Sequence, residues 1–210
     1  MERRTRWGVL VVLSLLIATS LPAGARSPRG KRTQGGLSPP SVSGRHLNDP
    51  GLSSDSARLQ NSLEELNAAA ALLMDADTGA ILFARNVQER RPPASTTKIM
   101  TALLILEEGQ LDDRVLITDR AVGAAGTGLG LKRGQRITLR DLSWAILLRS
   151  ANDAASAAAE HVGGTEERFV ARMNAKAISL GMEGTHFTNP HGLDNPDHYS
   201  TAYEIGRAHV

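Results

Sequence analysis

The sequence predicts a mixed α/β architecture (α+β) with antiparallel strands, and three observations carry that expectation. Two apolar runs flank Asp77-Thr78-Gly79 in "AAALLMDADTGAILFARN", the pattern of a β-hairpin in which Gly79 supplies positive φ. Four segments between residues 95 and 182 space their apolar residues as helices do. Only two or three convincing strands accompany that helical block, which leaves a sheet short of partners and argues against a doubly wound parallel fold.

The 210 residues suffice for one domain with tails, and a hydrophobic content of 41% is enough for a core. The formal charge of +2 conceals an asymmetry: residues 1–60 sum to +6 and residues 61–210 to −4. A mildly acidic domain lacks the basic face that phosphate neutralisation requires, so nucleic acid is not an expected partner. With no cysteine, the chain has neither disulfides nor a thiol nucleophile, and its stability must come from packing.

Residues 1–25 read as an export signal: Arg3, Arg4 and Arg6 precede the apolar run "GVLVVLSLLIATSL", and the small pair Ala23 and Ala25 predicts cleavage after Ala25. That run falls short of the ~20 apolar residues of a spanning helix, which makes permanent anchoring the weaker alternative. Export without cysteine suits a bacterial envelope, in the periplasm or another extracytoplasmic compartment. Residues 26–62 are rich in Ser, Gly, Pro and Arg without an apolar period, and read as a disordered basic linker. Its charges could draw it to an anionic wall or membrane surface, although a solvated tether is the simpler reading.

The domain begins near residue 63 with the hairpin. Next comes "RRPPASTTKIMTALLILEEG", where Pro92 and Pro93 hold an extended entry, Ser95 or a neighbour can cap a helix, and Ile99, Leu103 and Leu106 share one face. Gly109 is a fitting terminator. "DRVLITDRAV" predicts a short strand, and "GAAGTGLGLKRGQRIT" a glycine-rich loop leading to another extended piece. "TLRDLSWAILLRS" predicts an amphipathic helix starting near Thr138 or Asp141, with Trp144 at a core-like position. "NDAASAAAEHVGG" is so rich in alanine that a neighbour must pack closely on it, and Gly163 and Gly164 end it. "TEERFVARMNAKAISLGM" suits a third helix after Thr165, with Phe169 in the core. The remainder, "EGTHFTNPHGLDNPDHYSTAY", is rich in turn residues.

Two short motifs can carry chemistry. Ser95 and Lys98 stand at i, i+3, on one face of a helix whose positive end would stabilise an alkoxide or oxyanion. A serine needs a base, and lysine can serve only if burial and nearby positive charge keep it neutral. A capping serine beside a first-turn lysine is the bland reading of the same residues. In Ser150-Ala151-Asn152, a hydroxyl can relay a proton and a carboxamide can hold a substrate amide; either residue can equally cap the next helix. His186, His191 and His198 with Asp194 and Asp197 do not match known metal-ligand spacings, and the glycine-rich loop matches neither nucleotide-binding pattern.

Together these motifs, with "LLMDADTGAILFARN", "LKRGQRITLRDLSWAILLRSANDAASAAAEHVGG" and "MNAKAISLGMEGTHFTNPHGLDNPDHYSTAY", resemble the D-alanyl-D-alanine carboxypeptidases, the low-molecular-mass penicillin-binding serine peptidases, over residues 72–203. The resemblance implies a β-lactamase/DD-peptidase-like fold, an antiparallel sheet with a helical subdomain. It makes Ser95 the acyl-ester nucleophile, Lys98 its proton acceptor, Ser150 a proton relay and Asn152 a substrate contact. It implies a peptidoglycan stem peptide ending in D-Ala-D-Ala as substrate, β-lactams as inhibitors, and no cofactor or metal. Ala151 stands where many β-lactamases have Asp, which favours the peptidase over antibiotic hydrolysis; a DD-endopeptidase or a β-lactamase-like relative is the alternative.

The family's Lys-Thr-Gly is absent, since Lys31, Lys98, Lys132 and Lys176 are followed by Arg32, Ile99, Arg133 and Ala177. The chain is therefore expected to be a C-terminally truncated, inactive fragment with an incomplete sheet. The ending "EIGRAHV", residues 204–210, breaks the apolar helix the family would continue and is expected to be non-native, the read-through of a sequencing adapter.

Overall fold

The computed structural model describes residues 9–12, 65–75 and 77–207; the remainder of the export signal, the whole of the linker and residues 208–210 lie outside the described residues. From Ala68 onward the chain gathers into one unit. Its first sheet has three antiparallel strands in the order β1 (Val9–Val12), β2 (Ala71–Asp75) and β3 (Ile81–Arg85). β1 falls within the stretch read as an export signal and pairs Val9 with Asp75 and Val12 with Leu72. The β2–β3 hairpin forms as its sequence predicts. Asp75 accepts from the backbone N–H and hydroxyl of Thr78 at 2.8 and 2.6 Å, and Gly79 takes φ +69°.

The second layer is helical. A 3-10 turn, Ala94–Thr96, leads directly into α1 (Thr97–Glu108). β4 (Arg114–Leu116) pairs antiparallel with β5 (Arg136–Thr138), and the short α2 (Asp119–Val122) lies between them in sequence. Then follow α3 (Leu139–Arg149), α4 (Asn152–Gly163), α5 (Glu166–Ser179) and α6 (Ala202–Arg207). Among the described residues no helix is long and apolar enough to cross a membrane.

α4 is the hub. It packs against α1, α3, α5 and β4, and residues 151–159 are all buried. Alanine makes this possible, because a methyl side chain lets neighbouring backbones approach closely. At the end of α4 a Cβ on Gly163 would stand 2.7 Å from that of Phe169, so glycine is required there. Leu104, Ile105, Leu139, Leu142, Ile146, Phe169 and Met173 fill the space around the alanines. The caps hold as read: Thr138 accepts from the N–H of Asp141, and Thr165 from that of Arg168.

One expectation is corrected: Trp144 is 58% exposed and does not belong to the core. The face that Leu106 shares with Ile99 and Leu103 is likewise not the buried one, Leu106 being 59% exposed. α1 instead buries Met100, Leu104 and Ile105, together with the polar Thr97, Lys98 and Thr101. Apolar periodicity found a helix but not its inner face, because the buried side of α1 carries hydroxyls and an amine.

Residues 182–207 close around the start of α1. Arg91 and Ser200 exchange backbone hydrogen bonds at 2.8 and 3.0 Å, as do His186 and Tyr199. Glu204, the first of the residues read as non-native, is buried; its carboxylate accepts from the N–H of Gly184 and the hydroxyl of Thr185, both at 2.7 Å.

Candidate active site

Ser95 is held in the turn before α1, and Lys98 lies one turn further along. The Lys98 Nζ donates to Ser95 Oγ at 3.4 Å and to the His191 carbonyl at 2.6 Å. Lys98 is only 3% exposed, and burial pushes its amine down to about 8, which makes a neutral amine accessible near physiological pH. The nearby positive charge anticipated from sequence has no part in that shift; desolvation alone causes it.

Ser150 completes the group. Its Oγ donates to Ser95 Oγ at 2.9 Å across 55 residues of sequence. Its backbone, at φ +53°, is left-handed and ends α3, and α4 has no side-chain cap. Ser150 therefore caps the C-terminal end of α3 and not the start of α4, and its hydroxyl meets that of Ser95. Ala94, beside Ser95, also takes φ +47°. Left-handed backbone costs an L residue roughly 1 kcal/mol or more, and such strain gathers where geometry is functional.

Asn152 begins α4, nearly buried. Its Nδ2 donates to the Ala125 carbonyl and its backbone N–H to that of Thr127, both at 2.7 Å. Sequence reasoning passed over its neighbour. The buried Asp153 carboxylate accepts from the N–H groups of Leu129, Leu131 and Ala154, so this pair of residues fastens the glycine-rich loop to the start of α4. A Cβ on Gly126 would lie 2.8 Å from Asn152 Nδ2, and one on Gly128 2.9 Å from the Asp153 carboxylate.

The opposite wall comes from the turn-rich segment. Thr101 Oγ1 donates to the Pro190 carbonyl at 2.6 Å, and the Thr97 hydroxyl meets His198 Nε2 at 2.8 Å. Gly192, at φ +87°, packs so tightly on the turn that a Cβ would overlap the Ala94 carbonyl. His191 and His198 are each pushed down to about 4, chiefly by burial. The histidines weighed as metal ligands have separate uses here, since His186 Nδ1 contacts the Asp197 carbonyl at 2.6 Å and His198 contacts Thr97 and Thr188. Backbone carbonyls such as that of His191 leave no trace in a sequence, and so this wall was not legible in advance.

The described fold is similar to solved structures of one class. It superposes on the D-alanyl-D-alanine carboxypeptidase DacD from Francisella tularensis with a TM-score of 0.67 and 36% identity, covering 69% of this chain and 36% of that one. For penicillin binding protein 5 from Haemophilus influenzae the TM-score is 0.65 and the identity 35%, covering 68% and 44%. Fold and sequence thus define a low-molecular-mass penicillin-binding protein of the DD-peptidase fold. Residues 56–209 match the D-alanyl-D-alanine carboxypeptidase family, and the chain belongs to that family. Among curated relatives, the D-alanyl-D-alanine carboxypeptidase DacF of Bacillus subtilis is 41% identical over 143 residues, which is 66% of this chain and 37% of that one. DacD of Salmonella typhimurium is 34% identical over 171 residues, 76% of this chain and 44% of that one. The chain therefore spans less than half the length of these relatives.

Proposed function

We propose that this protein acts as a serine-type D-Ala-D-Ala carboxypeptidase on peptidoglycan stem peptides, with Ser95 as nucleophile. Neutral Lys98 takes the Ser95 proton, directly or through Ser150, as Oγ attacks the carbonyl carbon between the two terminal D-alanines. The C–N bond then breaks, the leaving D-alanine amine receives the proton, and an acyl ester remains on Ser95. Water, deprotonated by Lys98 once that amine has passed its proton to the leaving group, hydrolyses that ester and returns the proton to Ser95. Asn152, beside the hydroxyls in sequence, is assigned to hold the substrate amide. The observation that carries this reading is a buried amine, lowered to about 8, within 3.4 Å of a hydroxyl that also accepts from a second serine.

Residues 1–25 are proposed to be removed on export to the cell envelope, with residues 26–62 as tether. N-terminal sequencing of protein from an expressing cell would find Arg26 first; an intact Met1 would refute cleavage after Ala25 and favour the anchored alternative. Removal would also leave the outer edge of β2 without the strand that now covers it.

The test of the chemistry is covalent labelling by a fluorescent penicillin, with Ser95→Ala as control. Label on Ser95, absent from the control, supports the reading, and free D-alanine from a stem pentapeptide separates carboxypeptidase from endopeptidase. With no Lys-Thr-Gly in the sequence, turnover by these 210 residues is expected to fall far below that of the longer relatives. Label on a residue other than Ser95 would overturn the assignment.

A further inference from the structure

We propose that His198, uncharged and carrying its proton on Nε2, is a positioning residue that fastens residues 188–198 to the first turn of α1 and so holds the His191 carbonyl against the Lys98 amine. The backbone fixes the tautomer. The N–H of Thr188 can only donate, and it points at His198 Nδ1 from 2.9 Å, so that nitrogen must present a lone pair. The proton of the neutral ring then sits on Nε2, where it is donated to Thr97 Oγ1 at 2.8 Å. One ring therefore ties the beginning of the loop, its own end and the helix turn into a single unit. It is 2% exposed and lies edge-on to Phe187 at 5.7 Å.

The loop so fastened carries the groups that meet the reacting turn. His191 accepts from Lys98, Pro190 accepts from Thr101, and Gly192 packs on the Ala94 carbonyl. Asn189 braces the crest by accepting from the N–H of Gly192 at 2.6 Å. An added proton on Nδ1 would set two donors against each other at Thr188 and release the base of the loop. The fold resists that proton: burial holds His198 near 4, with His186 adding to the effect and Asp194 opposing it. Burial first, and then Lys98 and His198, disfavour charge on His191. Loosening the loop would admit water to Lys98 and undo the desolvation that lowers the pKa of its amine.

The inference rests on Ser95 and Lys98 being the reacting pair, and its test does not depend on turnover. Nitrogen NMR of the six histidines in the whole chain should show His198 protonated on Nε2 and uncharged down to about pH 5. A proton on Nδ1, or titration near the ordinary 6.5, would overturn the proposal. In a folded His198→Phe variant, the Lys98 midpoint, followed by side-chain carbon NMR, should climb from about 8 toward 10.5. A folded variant with that midpoint unmoved would equally overturn it. Should His198→Phe fail to fold, Thr97→Val removes only the acceptor hydroxyl and is read by the same midpoint. Expected resonances in a chain that never labels with penicillin would leave the loop fastening intact and count against the activity of these 210 residues alone.

Discussion

Lys98 concentrates the conflict between stability and chemistry. Its folded pKa of about 8 lies below the ordinary 10.5, so the unfolded chain holds a proton that the fold gives up between those values. Stability from this residue therefore rises as pH climbs from about 8 to 10.5, and below 8 the buried amine is a full penalty. Lys98→Met should stabilise the protein at neutral pH by on the order of 1 kcal/mol, discounted for solvent screening, while abolishing penicillin labelling; a lower melting temperature would contradict this. In the unaltered protein the labelling rate should increase about tenfold per pH unit below the Lys98 midpoint and level off above it. A rate flat from pH 6 to 9 would remove lysine from the role of base. The motifs singled out Ser95, Lys98, Ser150 and Asn152, and the structure brings the first three together. The His191 carbonyl that completes the lysine's surroundings was not, because any residue supplies a carbonyl.

At the scale of elements, most starts and stops were legible because capping is local chemistry. Thr138 and Thr165 satisfy backbone donors three residues on, and Gly79 takes the positive φ its turn requires. Thr165→Ala should cost about 1 kcal/mol. Phe169→Ala, which opens a cavity where α4 and α5 meet, should cost about 3–5 kcal/mol, and urea denaturation would measure both. Gly192→Ala combines strained backbone with overlap at the Ala94 carbonyl, so its loss of labelling should exceed its loss of stability. Equal losses would make Gly192 a folding residue alone. Which face of a helix turns inward was less legible. Trp144 and Leu106 follow apolar spacing yet face outward, whereas Thr97, Lys98 and Thr101 face inward because the loop over them offers carbonyls and a ring nitrogen as partners.

For the whole molecule, buried neutral histidines predict an acid-sensitive fold. His191 and His198 are held near 4 in the fold and titrate near 6.5 once exposed, so the unfolded chain takes up protons the fold refuses. The histidines' contribution should be undiminished above pH 6.5 and decline as pH falls toward 4, with Glu166, raised by burial, offsetting part of the loss. Urea midpoints at pH 7, 5.5 and 4 would show the decline, and an unchanged midpoint would refute it. The antiparallel hairpin, the helical block and the cysteine-free core were determined by the sequence itself, since turn chemistry, periodicity and composition act over a few residues. Only the tertiary structure decided that Ser150 meets Ser95 across 55 positions and that residues 188–198 close over Lys98. Those contacts depend on how α3, α4 and the closing loop pack, and packing is a property of the folded chain as a whole.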